Sequence, residues 1–221
     1  MGFKPCLSDA DVWRRAAVKE DGTKYYEYIL TYVDDCLVVS ADVKAITRQL
    51  KDEFQYVLKD EAPPTQYLGA TTGKYQLDTE TSAWFMSAEL YLKKAIMEIE
   101  AKWGNLSKMF SRQHLDVPVM AGYHPEMDQS THLDEDETQL YQSYIGILRW
   151  AVELGRIDLA HSAGVMARFS AAPREGHLFT LIRIFAYCKN TMSPGLFLIQ
   201  GARIWMIWNG QTMIGKNSIR M

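Results

Sequence analysis

Between Tyr25 and Ser40 two runs of β-forming residues, Tyr28 to Val33 and Cys36 to Val39, flank the polar pair Asp34-Asp35. Two short apolar runs with a two-residue polar break predict a β-hairpin whose ends are buried and whose tip is exposed. Beyond it, Val43, Ile46, Leu50, Phe54 and Val57 recur three or four positions apart. That spacing predicts a helix with one apolar stripe, and Ser40 is suited to cap its start. The opposite face carries Lys44, Arg48, Lys51 and Asp52, so the helix is expected to cover the sheet of the hairpin.

Pro63-Pro64 ends this first region. Three short strands are expected next, Gln66 to Thr72, Lys74 to Leu77 and Ala83 to Met86, with Gly73 and the polar Asp78 to Ser82 run as turns. A helix over Ser87 to Trp103 would align Leu92, Ile96, Ile99 and Trp103. Gly104 to Glu137 has little period and ends in acids, Asp134 to Glu137, which suit the start of a helix. Leu140, Tyr144, Leu148 and Val152 form the next stripe, stopped at Gly155. Ile157 to Phe169 and a helix aligning Leu178, Leu181, Ile182, Phe185 and Cys188 complete a helical bundle. Thr191 to Met221 has no acidic residue and reads as a strand or two with an irregular tail. The fold class is therefore α+β, an antiparallel hairpin with its helix, a small β-meander and a helical bundle.

Composition narrows the function classes. With 48% hydrophobic and 23% charged residues in 221, the chain reads as an ordinary globular protein. A formal charge of −3 supplies no global attraction to nucleic acid, so any such surface must be a local cluster of cations. Cys6, Cys36 and Cys188 are far apart and lack zinc spacing, as do the histidines at 114, 124, 132, 161 and 177. No apolar stretch reaches membrane length, and the opening residues have no apolar core of a signal peptide. Reduced thiols and no membrane segment lead to the expectation of a cytoplasmic or nuclear protein.

The chemistry is concentrated at the hairpin tip. Asp is a turn residue, and a bare Asp-Asp pair in a hairpin is ordinary turn chemistry. Two neighbouring carboxylates are also hard oxygen ligands that suit Mg²⁺ shared with substrate phosphates. Phosphoryl transfer by two metal ions needs more than one ligating acid, so a third carboxylate would have to come from elsewhere.

The four residues Tyr32-Val33-Asp34-Asp35 resemble the Tyr-x-Asp-Asp signature of reverse transcriptases, and the run YILTYVDDCLVVS from Tyr28 to Ser40 is similar to the palm hairpin of copia-type LTR retrotransposons. Gly2-Phe3 with Asp9 and Asp11-Val12-Trp13 resembles the stretch those proteins carry shortly before that hairpin. Gln66-Tyr67-Leu68-Gly69 resembles the segment that begins their primer-gripping region. Tyr141-Gln142-Ser143 with Ile145-Gly146 and Leu148, Arg156-Ile157-Asp158, and Pro173-Arg174-Glu175 with His177 match later motifs in the same order. The resemblance covers roughly Gly2 to Leu198.

It implies Asp34 as the main metal ligand and Asp35 as its supporting partner, both of them catalytic, with Mg²⁺ or Mn²⁺ as cofactor. Tyr32 would sit near the primer end, and Tyr67, Leu68 and Gly69 in the primer-grip turn. Lys93 and Lys94 could reach phosphates from a thumb-like helix, although an ordinary solvated face is the stronger explanation of the two. RNA template, DNA primer and dNTP would be the partners, with other parts of the polyprotein and a virus-like particle as the setting. The implied division is palm and primer grip over 1–86, thumb-like helix and loop over 87–137, connection helices over 138–198, and tail over 199–221.

The match departs from the family at both ends. The family's other essential Asp lies on a strand well upstream, and Asp9, Asp11, Glu20, Asp21 and Glu27, the acids ahead of Asp34, do not match it. The last residues do not resemble an RNase H domain. The expectation is a polymerase fragment inactive by itself, with a non-catalytic remnant or a helical interaction module as alternatives.

Overall fold

A computed structural model describes residues 1–55, 62–76, 79, 82–111, 115–192, 195–199, 205–208 and 213–215. The chain divides into two compact units, Met1–Leu68 and Gly69–Met221.

The first unit is a four-stranded antiparallel sheet with one helix. Its strands are β1 (Lys4–Pro5), β2 (Val12–Val18), β3 (Lys24–Tyr32) and β4 (Asp35–Val39), adjacent in that order. Alternation in β3 sets two faces: Glu27 and Ile29 are buried on one, while Tyr26 and Tyr32 are exposed on the other. Helix α1 (Val43–Phe54) follows. Its cap is Asp42, whose carboxylate accepts from the Ala45 amide at 3.0 Å, and not Ser40 as the sequence predicts. Ser40 is drawn instead into a bond with Glu27. Of the expected stripe, Ile46 is fully buried and Leu50 half-buried, while Val43 and Phe54 remain exposed. Val57 lies outside the described residues.

Strand β5 (Gln66–Tyr67) precedes a turn at Leu68 and Gly69, whose φ values of 50° and 88° are both left-handed. Such a two-residue turn favours Gly in its second place. The strand after it, β6 (Ala70–Gln76), runs straight through Gly73 and is not broken there. Gly73 pairs with Phe85 of β7 (Ser82–Ser87), and a Cβ at Gly73 would lie 2.9 Å from the Phe85 ring. The glycine is thus a place for a cross-strand aromatic and not a turn. Leu77, Asp78, Glu80 and Thr81 lie outside the described residues.

In the second unit β6 and β7 continue into β8 (Gly195–Ile199), β9 (Trp205–Trp208) and β10 (Met213–Gly215), every pair antiparallel. Three strands therefore lie where a strand or two and an irregular tail are expected. The meander strands group with the helices in this unit, whereas the sequence motifs group them with the hairpin. The helices are α2 (Glu89–Trp103), α3 (Leu106–Met109), α4 (Glu135–Glu153), α5 (Ala160–Ala167) and α6 (Glu175–Asn190).

Helix α4 opens on a capping box between Asp134 and Glu137, which gives the acidic run its place. It buries Tyr141, Tyr144, Ile145, Leu148 and Ala151, with Leu140 and Val152 half-buried at the edges of the predicted stripe. Helix α6 buries its whole run from His177 to Cys188 except the half-exposed Phe179. Such all-round burial marks a central helix. Among the described residues no helix is long and apolar enough to cross a membrane.

Candidate functional site

The hairpin of β3 and β4 turns one residue earlier than its sequence suggests. Tyr32 pairs with Asp35, so the two-residue turn is Val33-Asp34 and Asp35 belongs to the strand. Partners directly opposite point to the same face, which sets Tyr32 beside Asp35 and leaves Asp34 at the apex. Val33 occupies the first turn position at φ 55° and is 96% exposed. A β-branched residue in that region is a backbone outlier costing about 1–3 kcal/mol, held only when its surroundings over-determine it.

Tyr67 lies within electrostatic reach of this tip. Burial raises its hydroxyl pKa, and Asp35 and Cys36 raise it further. Tyr32, Asp34, Asp35 and Tyr67 thus sit in the first unit, where Leu68 is its last residue and Gly69 opens the second. A Cβ on Gly69 would stay 3.9 Å or more from its neighbours, so within the protein this glycine serves backbone conformation rather than close packing. On α2, Lys93 and Lys94 are both exposed, and Lys93 pairs with Glu89 one turn away.

The antiparallel topology brings the β1–β2 turn, with Asp9 and Asp11, to the same end of the sheet as the hairpin tip. Asp9 is occupied there by accepting from the Asp11 amide at 2.9 Å, and the Asp11 carbonyl accepts from the Thr31 amide at 2.9 Å. Among the described residues no three His, Cys, Asp or Glu side chains converge in a way that could hold a metal ion. The donor set at the tip is two exposed carboxylates, which does not fit a two-metal centre by itself. His177 is buried in a structural role: its Nδ1 accepts from the Arg174 amide at 3.1 Å and its Nε2 donates to the Pro125 carbonyl at 2.8 Å. His114 lies outside the described residues.

A group that the motifs do not single out supports the hairpin from below. Glu27 is 5% exposed. Its Oε1 accepts from Ser40 Oγ at 2.8 Å and from the Tyr25 hydroxyl at 3.1 Å, and its Oε2 accepts from Arg15 Nε at 2.7 Å. Arg15 also donates to the Gln49 side chain of α1 at 3.0 Å. The signal was present in the alternation, which puts a Glu on the buried face of β3 between Tyr25 and Ile29.

Burial pushes the Glu27 carboxyl up, but Ser40, Arg15 and Tyr25 outweigh it and hold it below the ordinary 4.5. A carboxyl lowered in the fold stabilises it above the unfolded pKa, and that share is lost as pH falls through the folded value. The first unit is therefore expected to weaken as pH drops below 4.5, and Glu27→Gln to flatten that dependence. Amide protection within β3, followed in urea from about pH 3 to about pH 6, reads the first unit by itself and measures the difference.

Two transposon proteins are similar to this chain. The putative transposon Ty5-1 protein of Saccharomyces cerevisiae is 28% identical over 179 residues, 80% of this chain and 53% of the relative. The retrovirus-related Pol polyprotein from transposon TNT 1-94 of Nicotiana tabacum is 28% identical over 169 residues, 74% of this chain and 12% of the relative. The chain thus spans about half of one relative and about an eighth of the other. No protein-family profile and no solved structure matches it. The similarity supports a copia-type retrotransposon polyprotein as the source of this sequence.

Proposed function

We propose that the chain is the palm-hairpin and connection part of a retroelement RNA-directed DNA polymerase, without polymerase activity when alone. The observation that supports this most is the Tyr32–Asp35 pair closing a two-residue turn with Asp34 at its apex. RNA template, DNA primer and dNTP are the substrates of this reading. Mg²⁺ or Mn²⁺ would supply charge at the transferred phosphate when held by a complete set of carboxylates. Asp34 and Asp35 contribute two of those ligands, Tyr32 borders the primer end, and Tyr67 with the Leu68-Gly69 turn lies toward the primer backbone. A further acid has to be supplied from outside the described residues. The helices from 138 to 190 bury their apolar stripes against one another, which does not favour the interaction-module reading.

Primer extension on an RNA template with Mg²⁺ or Mn²⁺ tests the proposal. The chain alone is expected to incorporate nothing above background. A chimera joining the upstream part of the tobacco polyprotein to this chain is expected to extend primers. Asp34→Asn should lower that activity by about a hundredfold or more, since even a residue that only orients a metal ligand is worth up to that factor. A folded chimera that fails to extend, or one indifferent to Asp34→Asn, sinks the polymerase assignment. Extension by the chain alone sinks the claim that it is inactive by itself and places the further acid within this chain.

A further inference from the structure

We infer that Glu27, acting through Ser40, is the positioning residue that holds the β3–β4 hairpin in its two-residue register. Three features of the hairpin leave that register open. Strand β4 reads Cys36-Leu37-Val38-Val39, apolar on both faces, and its burial does not alternate. A strand without alternation specifies register weakly, because a one-residue slip exposes nothing new. The turn opposes the register as well, since Val33 stands at φ 55° where two-residue turns favour Gly. Slipping β4 by one residue would make a three-residue loop of Val33, Asp34 and Asp35, and three-residue hairpin loops are common.

What distinguishes the two registers is polar. Glu27 lies directly across from Ser40, one step beyond the last pair, Tyr28 with Val39. Their bond of 2.8 Å ties the open end of β3 to the end of β4 on the buried face. After the slip Glu27 would stand opposite Ala41, while Ser40 would face Tyr28 on the other side of the sheet. A buried carboxylate would lose a donor, the costly outcome for a charged group. Arg15, anchored to Gln49, fixes the carboxylate from its other oxygen. The Glu27–Ser40 pair therefore determines that Asp35 stands beside Tyr32 and that Asp34 alone occupies the apex. The consequence for chemistry rests on the proposed function; the register itself does not.

Cross-linking reads the register directly. Thr31 faces Cys36, and because the Thr31 amide bonds to the Asp11 carbonyl of the neighbouring segment, the Thr31–Cys36 pair carries no hydrogen bonds of its own. Such pairs have Cα atoms about 4.5 Å apart, within disulfide range. In the full chain with Cys6→Ser, Thr31→Cys is expected to form a disulfide with Cys36 readily under mild oxidation. Adding Ser40→Ala or Glu27→Ala should slow that reaction by about tenfold, the factor that a charged hydrogen bond is worth. Adding Val33→Gly to either should restore it, because a relaxed two-residue turn no longer needs the clamp.

Cross-linking at the parental rate in both variants overturns the inference. So does a slowing that Val33→Gly leaves in place, which would mean lost packing and not lost register. Ser40→Ala leaves the Arg15–Glu27 pair whole, so it carries the test if Glu27→Ala unfolds, as circular dichroism would report. No metal, primer or nucleotide enters the assay, so failure of the polymerase chimera would leave the cross-linking result unaffected.

Discussion

Arg156→Ala is expected to destabilise the second unit by about 3 kcal/mol, the lower end of the cost of breaking a buried ion pair, because the Asp158 side chain left without its cation keeps 23% of its exposure. Arg156 is 1% exposed. Its Nε and Nη2 each donate to Asp158 at 2.9 Å, and Nη2 also donates to Thr191 Oγ1 at 3.0 Å. The Tyr187 hydroxyl donates to the same Asp158 at 2.9 Å, and the guanidinium stands 5.7 Å from the Tyr187 ring centre. One side chain thus joins the end of α4, the segment before α5 and the end of α6. Truncation leaves Asp158 with a phenol in place of its cation and opens a cavity the size of the side chain. Because the chain has two units, a single unfolding curve is a poor readout. Amide exchange in α4 and α6 is the better one, with protection there falling toward the lowered stability. Arg156→Met combined with Asp158→Ala should recover part of the loss, since deleting both charges removes the unpaired one. Equal damage from the single and double changes would mean that packing, and not charge, is what Arg156 supplies.

Phe185→Ala should cost at least as much, about 3–5 kcal/mol, by a different route. Phe185 is fully buried on α6, and its ring meets that of Tyr144 on α4 edge-on with centres 5.5 Å apart. The Tyr144 hydroxyl in turn accepts from Trp103 Nε1 at 3.0 Å, which brings in the end of α2. Removing the ring leaves a void where three helices meet and where a rigid backbone cannot collapse far. Phe185→Leu keeps most of the volume and should cost less than about half as much. Protection in α2, α4 and α6 measured together tests this, and a loss confined to α6 would contradict a shared core.

The helices of this chain are legible in its sequence for a simple reason. Leu92, Ile96 and Ile99 in α2, Tyr144 and Leu148 in α4, and Leu181, Ile182 and Phe185 in α6 repeat with the helical period and are buried as that period predicts. A helix closes its hydrogen bonds within one segment, so one segment's pattern suffices to announce it. The acidic run at α4 was legible on the same terms, as a local cap. The presence of the hairpin was legible too, from two β-forming runs and a polar break.

Its register was not, because pairing is a relation between strands, and neither apolar alternation in β4 nor the Val33-Asp34 turn selects it. A bond between residues 27 and 40 decides it, and no local window contains a reason for that bond. Ser40 shows the same competition, promising as a cap in isolation and taken by Glu27 in the fold. Gly73 looks like a turn until Phe85 of the next strand is laid over it. Strands β8 to β10 are the extreme case, since β8 pairs with β7 more than a hundred residues earlier in the chain. By itself the sequence determined the longer helices, the buried stripes of α2, α4 and α6 and the identity of the acids at the tip. Only the tertiary structure decided which strands pair, which residue occupies each turn, and how many carboxylates come together, because each depends on partners brought close from distant parts of the chain.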